Sequence, residues 1–399
     1  MLRKVLLPII ALCVLAFVTL FILAQNEDIV DRAERTIEAA EGPKGEYYTK
    51  VTDWTAREYS DINLSTYAFL DFDQDGAYSL GDRSLSDIAV ELYYEGKFIA
   101  TSRSNTNGFS NFSSQLRGAG ARINKEGSYT FRAKPPEGWT VTTGNSEQIL
   151  NYARLDGSIG GGALNAMPKP IGFAPQKYIT GRATPNTEVT ATDTDGTSFS
   201  GTADATGQFK LIVPKSGLYR VTAGARSVPI VVDVFPVHIG NIETHETFTD
   251  NLTLLDFEGQ TATQTFKVPN GYGDLNWFNL NVIDAMEIGS GYVNAVTSGN
   301  HVIYLSSGHP AEITAPTAID FQSVHITVAW RNAEGETLRV EMWRGDEKIV
   351  DDIVELSMLA PVLYAPNVRD ITRIALTTTH HWQAVFDDLR IRAPLRSQP

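Results

Sequence analysis

From Glu46 to the C-terminus the sequence is a series of short runs in which apolar and polar residues alternate, and this pattern constrains the fold most. Glycine, asparagine, aspartate and proline separate the runs, and helical periodicity is essentially absent. Because successive side chains of a strand point to opposite faces, the runs predict strands with one buried face. Their short, regular spacing is typical of β-sandwiches, so we expect an all-β fold.

Composition narrows the classes of function. The chain has 399 residues, enough for two to four domains, and a formal net charge of -14 at pH 7. An acidic chain without a basic stripe does not neutralise phosphates, so we expect no nucleic-acid partner. Cys13 is the single cysteine, which excludes an intramolecular disulfide framework. No phosphate-binding loop, dinucleotide fingerprint or metalloprotease motif occurs in the sequence, and we expect no enzyme.

Residues 1–25 hold twenty consecutive residues without a charge, preceded by Arg3 and Lys4. That length spans the hydrocarbon core of a bilayer as a helix, and the basic flank predicts an N-terminus in the cytoplasm. The segment is either an uncleaved transmembrane anchor or a signal peptide cut after Ala24. In both cases the rest of the chain is exported: it stays in the cell envelope, with its C-terminus outside the cytoplasm, if the segment is an anchor, and it is secreted if the segment is cleaved. Residues 26–60 are predicted as a juxtamembrane helix and linker.

Residues 71–82, DFDQDGAYSLGD, place carboxylates at alternate positions, then a turn glycine, then a further carboxylate at the twelfth position. This spacing lets a loop wrap oxygen ligands around one hard cation, and calcium is the natural candidate. The predicted ligands are Asp71, Asp73, Asp75, the carbonyl of Ala77, and Asp82. Strand-like runs flank the loop, which favours a structural calcium in a β-domain over a helical sensor. The alternative is an acidic, solvated turn without metal.

The surrounding sequence resembles the B-type repeat domains of serine-aspartate-repeat surface adhesins (SdrD B-like), which are related to collagen-adhesin (Cna) B modules. The matching elements are the aspartate loop, Leu85, Val90, the turn Asn107-Gly108-Phe109 and the run Tyr129-Thr130-Phe131. Gly138-Trp139 departs from the Gly-Tyr that is usual in the family. The resemblance covers about 90 residues of a module predicted at residues 61–170, and it implies an immunoglobulin-like sandwich, stiffened by calcium, that serves as a spacer or stalk.

Two further segments precede the last module. Residues 155–176 are rich in glycine, proline and alanine and read as an inter-domain connection. Residues 177–234 repeat the strand–turn plan in shorter form and are similar to bacterial immunoglobulin-like modules. Residues 235–249 are predicted as an exposed linker that carries His238 and His245.

The third module, residues 250–395, opens with a run that contains Glu258 and closes with Asp387 and Asp388. These ends resemble jelly-roll, carbohydrate-binding-like domains of secreted bacterial proteins, in which the first and last strands are neighbours. The resemblance implies that Glu258 could meet Asp387 or Asp388 and hold a second calcium. Simple solvation at the ends of two strands is the alternative.

Aromatic residues are frequent in the third module, and an aromatic ring can stack on the apolar face of a sugar. Trp277 lies in a predicted loop beside Asp274 and Asn276, and these three are the candidate ligand-binding residues. The alternative is that Trp277 packs in the fold and stabilises it. Trp330 and Trp343 lie on predicted strands, where core packing is expected.

Together these features predict tandem immunoglobulin-like β-sandwiches plus a C-terminal jelly roll behind an N-terminal transmembrane helix. The expected function is that of a membrane-anchored bacterial surface protein, with calcium-stabilised modules, in adhesion or structural assembly. The expected partners are the membrane and a glycan or surface protein. A membrane-tethered carbohydrate-binding accessory protein, and a subunit of an extracellular filament or envelope complex, are the alternatives.

Overall fold

The computed structural model describes residues 64–112, 123, 125–154, 162–248, 252–259, 266–288 and 290–392. These residues are nearly all in strands and turns, which confirms the predicted all-β class with β-sandwich sheets. The predicted membrane segment and juxtamembrane helix, residues 1–60, lie outside this set. Within the described ranges, neither of the short α-helices has the length or the apolar content to cross a bilayer.

The first module consists of two packed sheets. Its strands are β1 (Leu64–Leu70), β2 (Arg83–Ser84), β3 (Ala89–Tyr94), β4 (Lys97–Arg103), β5 (Phe109–Phe112), β6 (Gly127–Lys134), β7 (Trp139–Val141), β8 (Glu147–Arg154), β9 (Gly162–Leu164) and β10 (Ile171–Pro175). One sheet has the order β2-β1-β10-β7 with β5 also paired to β1, and the other has the order β4-β3-β6-β8-β9. The aspartate loop connects β1 to β2 and therefore lies at one end of the first sheet.

The core of the first module follows the predicted alternation. Along β6, Tyr129, Phe131 and Ala133 are buried, and the residues between them are partly exposed. The buried residues pack with apolar side chains of β1 and β3 in one cluster. Because each fully buried large apolar side chain contributes roughly 1.5–3 kcal/mol, this face holds the two sheets together.

The segment 155–176, predicted as a connection, contains two strands of the first module. β10 pairs in parallel with β1, from Ala68 opposite Ile171 to Leu70 opposite Phe173, and all five of its residues are buried. Pro168 and Pro170 precede this short run, so its local composition is that of a linker. Long-range pairing with β1, which composition does not reveal, makes it a strand.

The second module is a smaller sandwich. Its strands are β11 (Tyr178–Arg182), β12 (Glu188–Asp193), β13 (Ser198–Thr202), β14 (Gln208–Ile212), β15 (Gly217–Ala223), β16 (Arg226–Val232) and β17 (Val237–Asn241). One sheet has the order β13-β12-β15-β16, and β14-β11-β17 forms the opposite side. β17 falls in the predicted exposed linker, residues 235–249, and corrects that prediction. It pairs in parallel with β11 and is buried along four of its five residues.

The third module is the largest. Its elements are β18 (Thr253–Leu255), β19 (Phe266–Lys267), β20 (Asn276–Phe278), β21 (Leu280–Asp284), α1 (Ala285–Ile288), α2 (Gly291–Ala295), β22 (His301–Leu305), β23 (Ala311–Val328), β24 (Thr337–Arg344), β25 (Glu347–Glu355), β26 (Val362–Tyr364), β27 (Val368–Thr378) and β28 (Ala384–Arg392). β23 bends between two layers: its first half pairs with β20 and β27, and its second half pairs with β26 and β28. Residues from both layers form one large apolar core.

Two strand pairings show how the ends of the third module meet and where the second module joins it. The first strand, β18, pairs antiparallel with the last, β28, as the sequence led us to expect. On the other side, β26 pairs in parallel with β17, with Val237 opposite Leu363. The second and third modules therefore share one continuous sheet and are not separated by a free linker.

Candidate metal centre

The aspartate loop closes on itself through carboxylate-to-backbone hydrogen bonds. Asp82 Oδ1 accepts from the N–H of Phe72 at 3.0 Å, and its Oδ2 accepts from the N–H of Ser79 at 2.7 Å. Asp71 Oδ2 accepts from the N–H of Gly76 at 3.1 Å, across the loop. These bonds turn the side chains of Asp71 and Asp82 inward, so that the loop surrounds a small acidic space.

Gly76 makes the bend that this closure needs. Its φ is +78°, and a Cβ at this position would lie 3.1 Å from the carbonyl oxygen of Thr142. A left-handed backbone angle together with that close approach favours glycine over any other residue. The sequence prediction that Gly76 permits the sharp turn is confirmed.

Three of the four predicted carboxylates come together. Oxygens of Asp71, Asp73 and Asp82 lie within 4.8 Å of one another. In the part of the chain that the structure describes, no other group of three or more acidic, histidine or cysteine side chains is gathered so closely. Asp75 stays outside this group; its Oδ1 accepts from the N–H of Ala77 at 2.7 Å. Calcium at this site, and the roles of Asp75 and the Ala77 carbonyl, remain predictions.

Asp71 distinguishes this group from an ordinary acidic turn. Its side chain is fully buried, and its Oδ1 has no hydrogen-bond partner. Leaving a buried polar oxygen unpaired costs about 1–3 kcal/mol, and more when it is charged, so native structures rarely tolerate it. A cation bound between Asp71, Asp73 and Asp82 would satisfy this oxygen, so the residues present fit the predicted ion.

A buried lysine lies near the group. Lys177 is buried; burial lowers the pKa of its ammonium group, and the charges of Asp233 and Asp71 act in the opposite direction. Lys177 does not balance three carboxylates, since it also interacts with Asp233, and the guanidinium of Arg83 binds carbonyls outside the loop. The centre therefore keeps an excess of negative charge that favours a divalent cation.

The second predicted calcium site has a different structure. Glu258 Oε1 accepts from the N–H groups of Asn300 and His301 at 2.7 and 2.6 Å, and Oε2 lies 3.0 Å from Nδ1 of the His301 ring. Asp387 Oδ2 accepts from the N–H and the hydroxyl of Thr297 at 2.6 and 2.9 Å. Both carboxylates thus hold the segment 297–301, which we call the brace loop.

Asp387 is fully buried in this arrangement, and its other oxygen, Oδ1, accepts from the N–H of Asp388. Burial, and then the charge of Asp388, raise the pKa of Asp387 to about 7, against the opposing hydrogen bonds from Thr297 and Ser298. In the described residues Glu258, Asp387 and Asp388 do not form a close group of three carboxylates like that of the aspartate loop, and we assign Glu258 and Asp387 to bracing the loop. Calcium at this second site stays a prediction.

The predicted ligand role of Trp277 is also corrected. Its side chain is only 7% exposed, and its indole Nε1 donates to the carbonyl of Tyr272 at 3.0 Å. Its ring packs edge-on against Phe257 within the core, so no face is open to a sugar. Asn276 remains exposed, and Asp274 lies beside it in the turn before β20.

The two histidines of the predicted linker are buried. His238 lies on β17, with Nδ1 3.0 Å from the hydroxyl of Thr180 and Nε2 without a partner. Burial, with a smaller contribution from Arg182, lowers the pKa of His238 to about 4. His245 Nε2 lies 2.8 Å from the side-chain amide of Asn367, in the third module. The expectation of solvent-exposed histidines was wrong, because the sequence did not reveal that β17 joins the sheet.

Sequence reasoning missed one concave surface. A groove of about 360 Å³ lies between the second and third modules, and its lining includes Tyr178, Thr180, Asp204, Gln208, Lys210 and His238. The ammonium group of Lys210 lies 4.0 Å from the centre of the Tyr178 ring. The groove exists because β17 and β26 pair, so no local sequence signal could have located it.

Comparisons with known proteins give no family. No family model matches the chain, and no curated protein matches it. Among solved structures, it is similar to a double mutant of the shaft pilin SpaA from Lactobacillus rhamnosus GG, at 12% identity and a TM-score of 0.20, over 45% of this chain and 96% of that chain.

Two other solved structures are also similar to parts of this chain. One is TmCBM61 in complex with beta-1,4-galactotriose, at 12% identity and a TM-score of 0.21, over 29% of this chain and 86% of that one. The other is the streptococcal ancillary pilin, at 11% identity and a TM-score of 0.23, over 50% of this chain and 73% of that one. At such scores the similarities carry no argument about function.

Proposed function

We propose that this chain is an exported bacterial envelope protein in which calcium at the aspartate loop stabilises a β-sandwich stalk. In this proposal the first two modules are immunoglobulin-like, and they hold a jelly-roll third module away from the membrane. Residues 1–25 serve as the anchor, or as a signal that is cleaved. The protein acts in adhesion or structural assembly and has no catalytic role.

The observation that carries the proposal is the Oδ1 atom of Asp71. It is buried without a hydrogen-bond partner inside a loop that brings three carboxylates together. An ion that binds only the folded state stabilises that state by mass action, without any chemical step. Calcium is typically plentiful outside a cell, so the site would stay loaded. The ion would then be a permanent part of the stalk.

Thermal unfolding of the full chain tests the proposal. We expect excess chelator to lower the melting temperature of the first module and added calcium to restore it. Magnesium at the same concentration should restore less, because it prefers a small octahedral site with several waters. Identical melting curves in chelator and in calcium would refute the calcium-stabilised stalk.

Glycan binding is the second candidate function, and the groove between the second and third modules favours it. The groove combines the ring of Tyr178 with hydroxyl, amide, carboxylate and ammonium groups, a lining that suits a hydroxyl-rich ligand. This candidate moves the predicted glycan site away from the buried Trp277.

A glycan array screened with the full chain tests this candidate. Tyr178→Ala should abolish any binding that is found. The matched control is Tyr93→Ala, since Tyr93 also lies under a cation, Arg132, but in the first module. Equal binding by the two variants would exclude the groove as the glycan site.

A further inference from the structure

The residues that follow the aspartate loop contact the third module. Arg83, next to Asp82, donates from its two terminal nitrogens to the carbonyls of Val296 and Thr297 at 2.6 and 2.7 Å. Val296 directly precedes the brace loop and Thr297 begins it, and N–H groups of that loop bind Asp387. A planar guanidinium that binds two carbonyls fixes orientation as well as distance.

Two more contacts extend this interface along the same segment. The N–H and the hydroxyl of Ser86 each lie 3.1 Å from the Oδ1 atom of Asn294, and both side chains are buried. Asp87 Oδ2 accepts from Nε of Arg331 at 2.6 Å. Residues 83–87 therefore form a continuous polar seam between the first and third modules.

Inside the loop, Phe72 packs where all three modules meet. Its ring centre lies 5.9 Å from that of Phe235, which belongs to the segment between β16 and β17. Phe72 also packs against a small apolar cluster made of Leu70 from the first module, Val234 and Phe235 from the second, and Ala360 from the third. The guanidinium of Arg83 lies 5.6 Å from the centre of the Phe72 ring.

The metal donors and the interface residues are joined by short connections. Asp82 accepts from the N–H of Phe72 and is bonded in sequence to Arg83. Phe72 itself lies between Asp71 and Asp73. If the three carboxylates are not neutralised, their mutual repulsion opposes the closed loop that holds Phe72 and Arg83 in place. A cation would remove that repulsion and would also bind the unpartnered oxygen of Asp71.

We propose that the aspartate loop is the joint of the molecule, and that the bound cation fixes the third module against the first through Arg83 and Phe72. This inference rests on the proposed calcium site and extends it from the stability of one module to the geometry of the whole stalk. With the ion bound, the modules form one rigid body. Without it, the seam loosens while the shared sheet of the second and third modules persists.

Distances between spin labels in the full chain test this inference. The labels are attached at Glu137→Cys in the first module and Asp346→Cys in the third, both at exposed positions, in a Cys13→Ser background. With calcium we expect a single narrow distance peak, and with chelator we expect that peak to be lost. Calorimetric titration of the same protein with calcium shows separately whether the ion binds.

Arg83→Gln separates ion binding from the joint. This variant should still bind calcium, because residue 83 is not a predicted ligand, yet it should lose the narrow peak even in calcium. Arg132→Gln is the matched control, since Arg132 lies in the same module and pairs with Glu147 at the surface; it should keep the peak.

The outcomes distinguish the proposed calcium site from the proposed joint. Loss of the peak in chelator and in Arg83→Gln supports the joint. Calcium binding with an unchanged peak in chelator overturns the joint and leaves the calcium site intact. A narrow peak in calcium-loaded Arg83→Gln also overturns it. No calcium binding at all overturns both the site and the joint.

Discussion

The first and third modules each hold buried carboxylates against a loop, but the two groups use their oxygens differently. In the aspartate loop, Asp71 keeps one buried oxygen without a partner while other carboxylates lie within 4.8 Å. At the brace loop, Glu258 and Asp387 accept several N–H and O–H bonds. The two groups contain a similar number of carboxylates, so that number alone does not indicate a metal site. The buried Oδ1 atom of Asp71, which has no hydrogen-bond partner, is the feature that indicates one.

The largest expected effect is a loss of calcium-dependent stability when the aspartate loop is changed. Because a bound ion at one hundred times its Kd contributes about 2.7 kcal/mol, Asp71→Asn should remove a stabilisation of that order in calcium. Chemical unfolding in calcium and in chelator measures it. Asp195→Asn is the control, since Asp195 is an exposed turn aspartate of the second module. An undiminished calcium effect in Asp71→Asn would place the ion elsewhere.

Glu258→Gln should destabilise the third module by about 1–3 kcal/mol, because a neutral amide oxygen accepts more weakly from the N–H groups of Asn300 and His301, and the amide nitrogen cannot accept a bond from the His301 ring. The loss should be the same in calcium and in chelator, and paired unfolding curves measure it. A loss seen only in calcium would show that Glu258 is a metal ligand.

Because the pKa of Asp387 is raised, we expect the stability of the third module to depend on pH. Its pKa is about 7 in the folded state and lies near 4 in unfolded chains, so between these values the folded state holds a proton that the unfolded state has released. This contribution to stability is fully present below about pH 4 and is lost as the pH rises through about 7.

Asp388→Asn should reduce that dependence, because it removes the like charge that helps to raise the pKa of Asp387. The expected change is on the order of 1 kcal/mol in the difference between the free energies of unfolding at about pH 5 and about pH 8. Equal differences in the wild type and the variant would contradict the role of Asp388.

The smallest expected effect concerns Asp75, which lies outside the gathered carboxylates. Its side chain is exposed and accepts from the N–H of Ala77, a bond that asparagine can also accept. Asp75→Asn should therefore change the calcium-dependent stability by no more than about 0.5 kcal/mol. A loss as large as that of Asp71→Asn would show that Asp75 is a principal ligand.

Local patterns allowed part of this molecule to be predicted. Alternation located most strands, and the spacing of Asp71, Asp73 and Asp82 located the acidic centre. The predictions that failed concern long-range contacts. β10 and β17 are strands because β1, β11 and β26 pair with them, and Trp277 is buried because Phe257 and the core surround it.

The partners of the acidic side chains were also hidden from the sequence. Glu258 and Asp387 have the composition of a metal site, but the N–H donors that bind them come from residues 297–301, which are distant in sequence from both. Likewise, nothing near Arg83 indicates that its guanidinium binds carbonyls of the third module. Such facts depend on which loops the folded modules bring together.

Calorimetric titration of the full chain with calcium is the most direct test of the central claim that the unsatisfied oxygen of Asp71 marks the metal site. We predict a binding site that Asp71→Asn removes and that Glu258→Gln leaves unchanged. Absence of binding in the wild type, or loss of the site in Glu258→Gln with binding retained in Asp71→Asn, would contradict the claim.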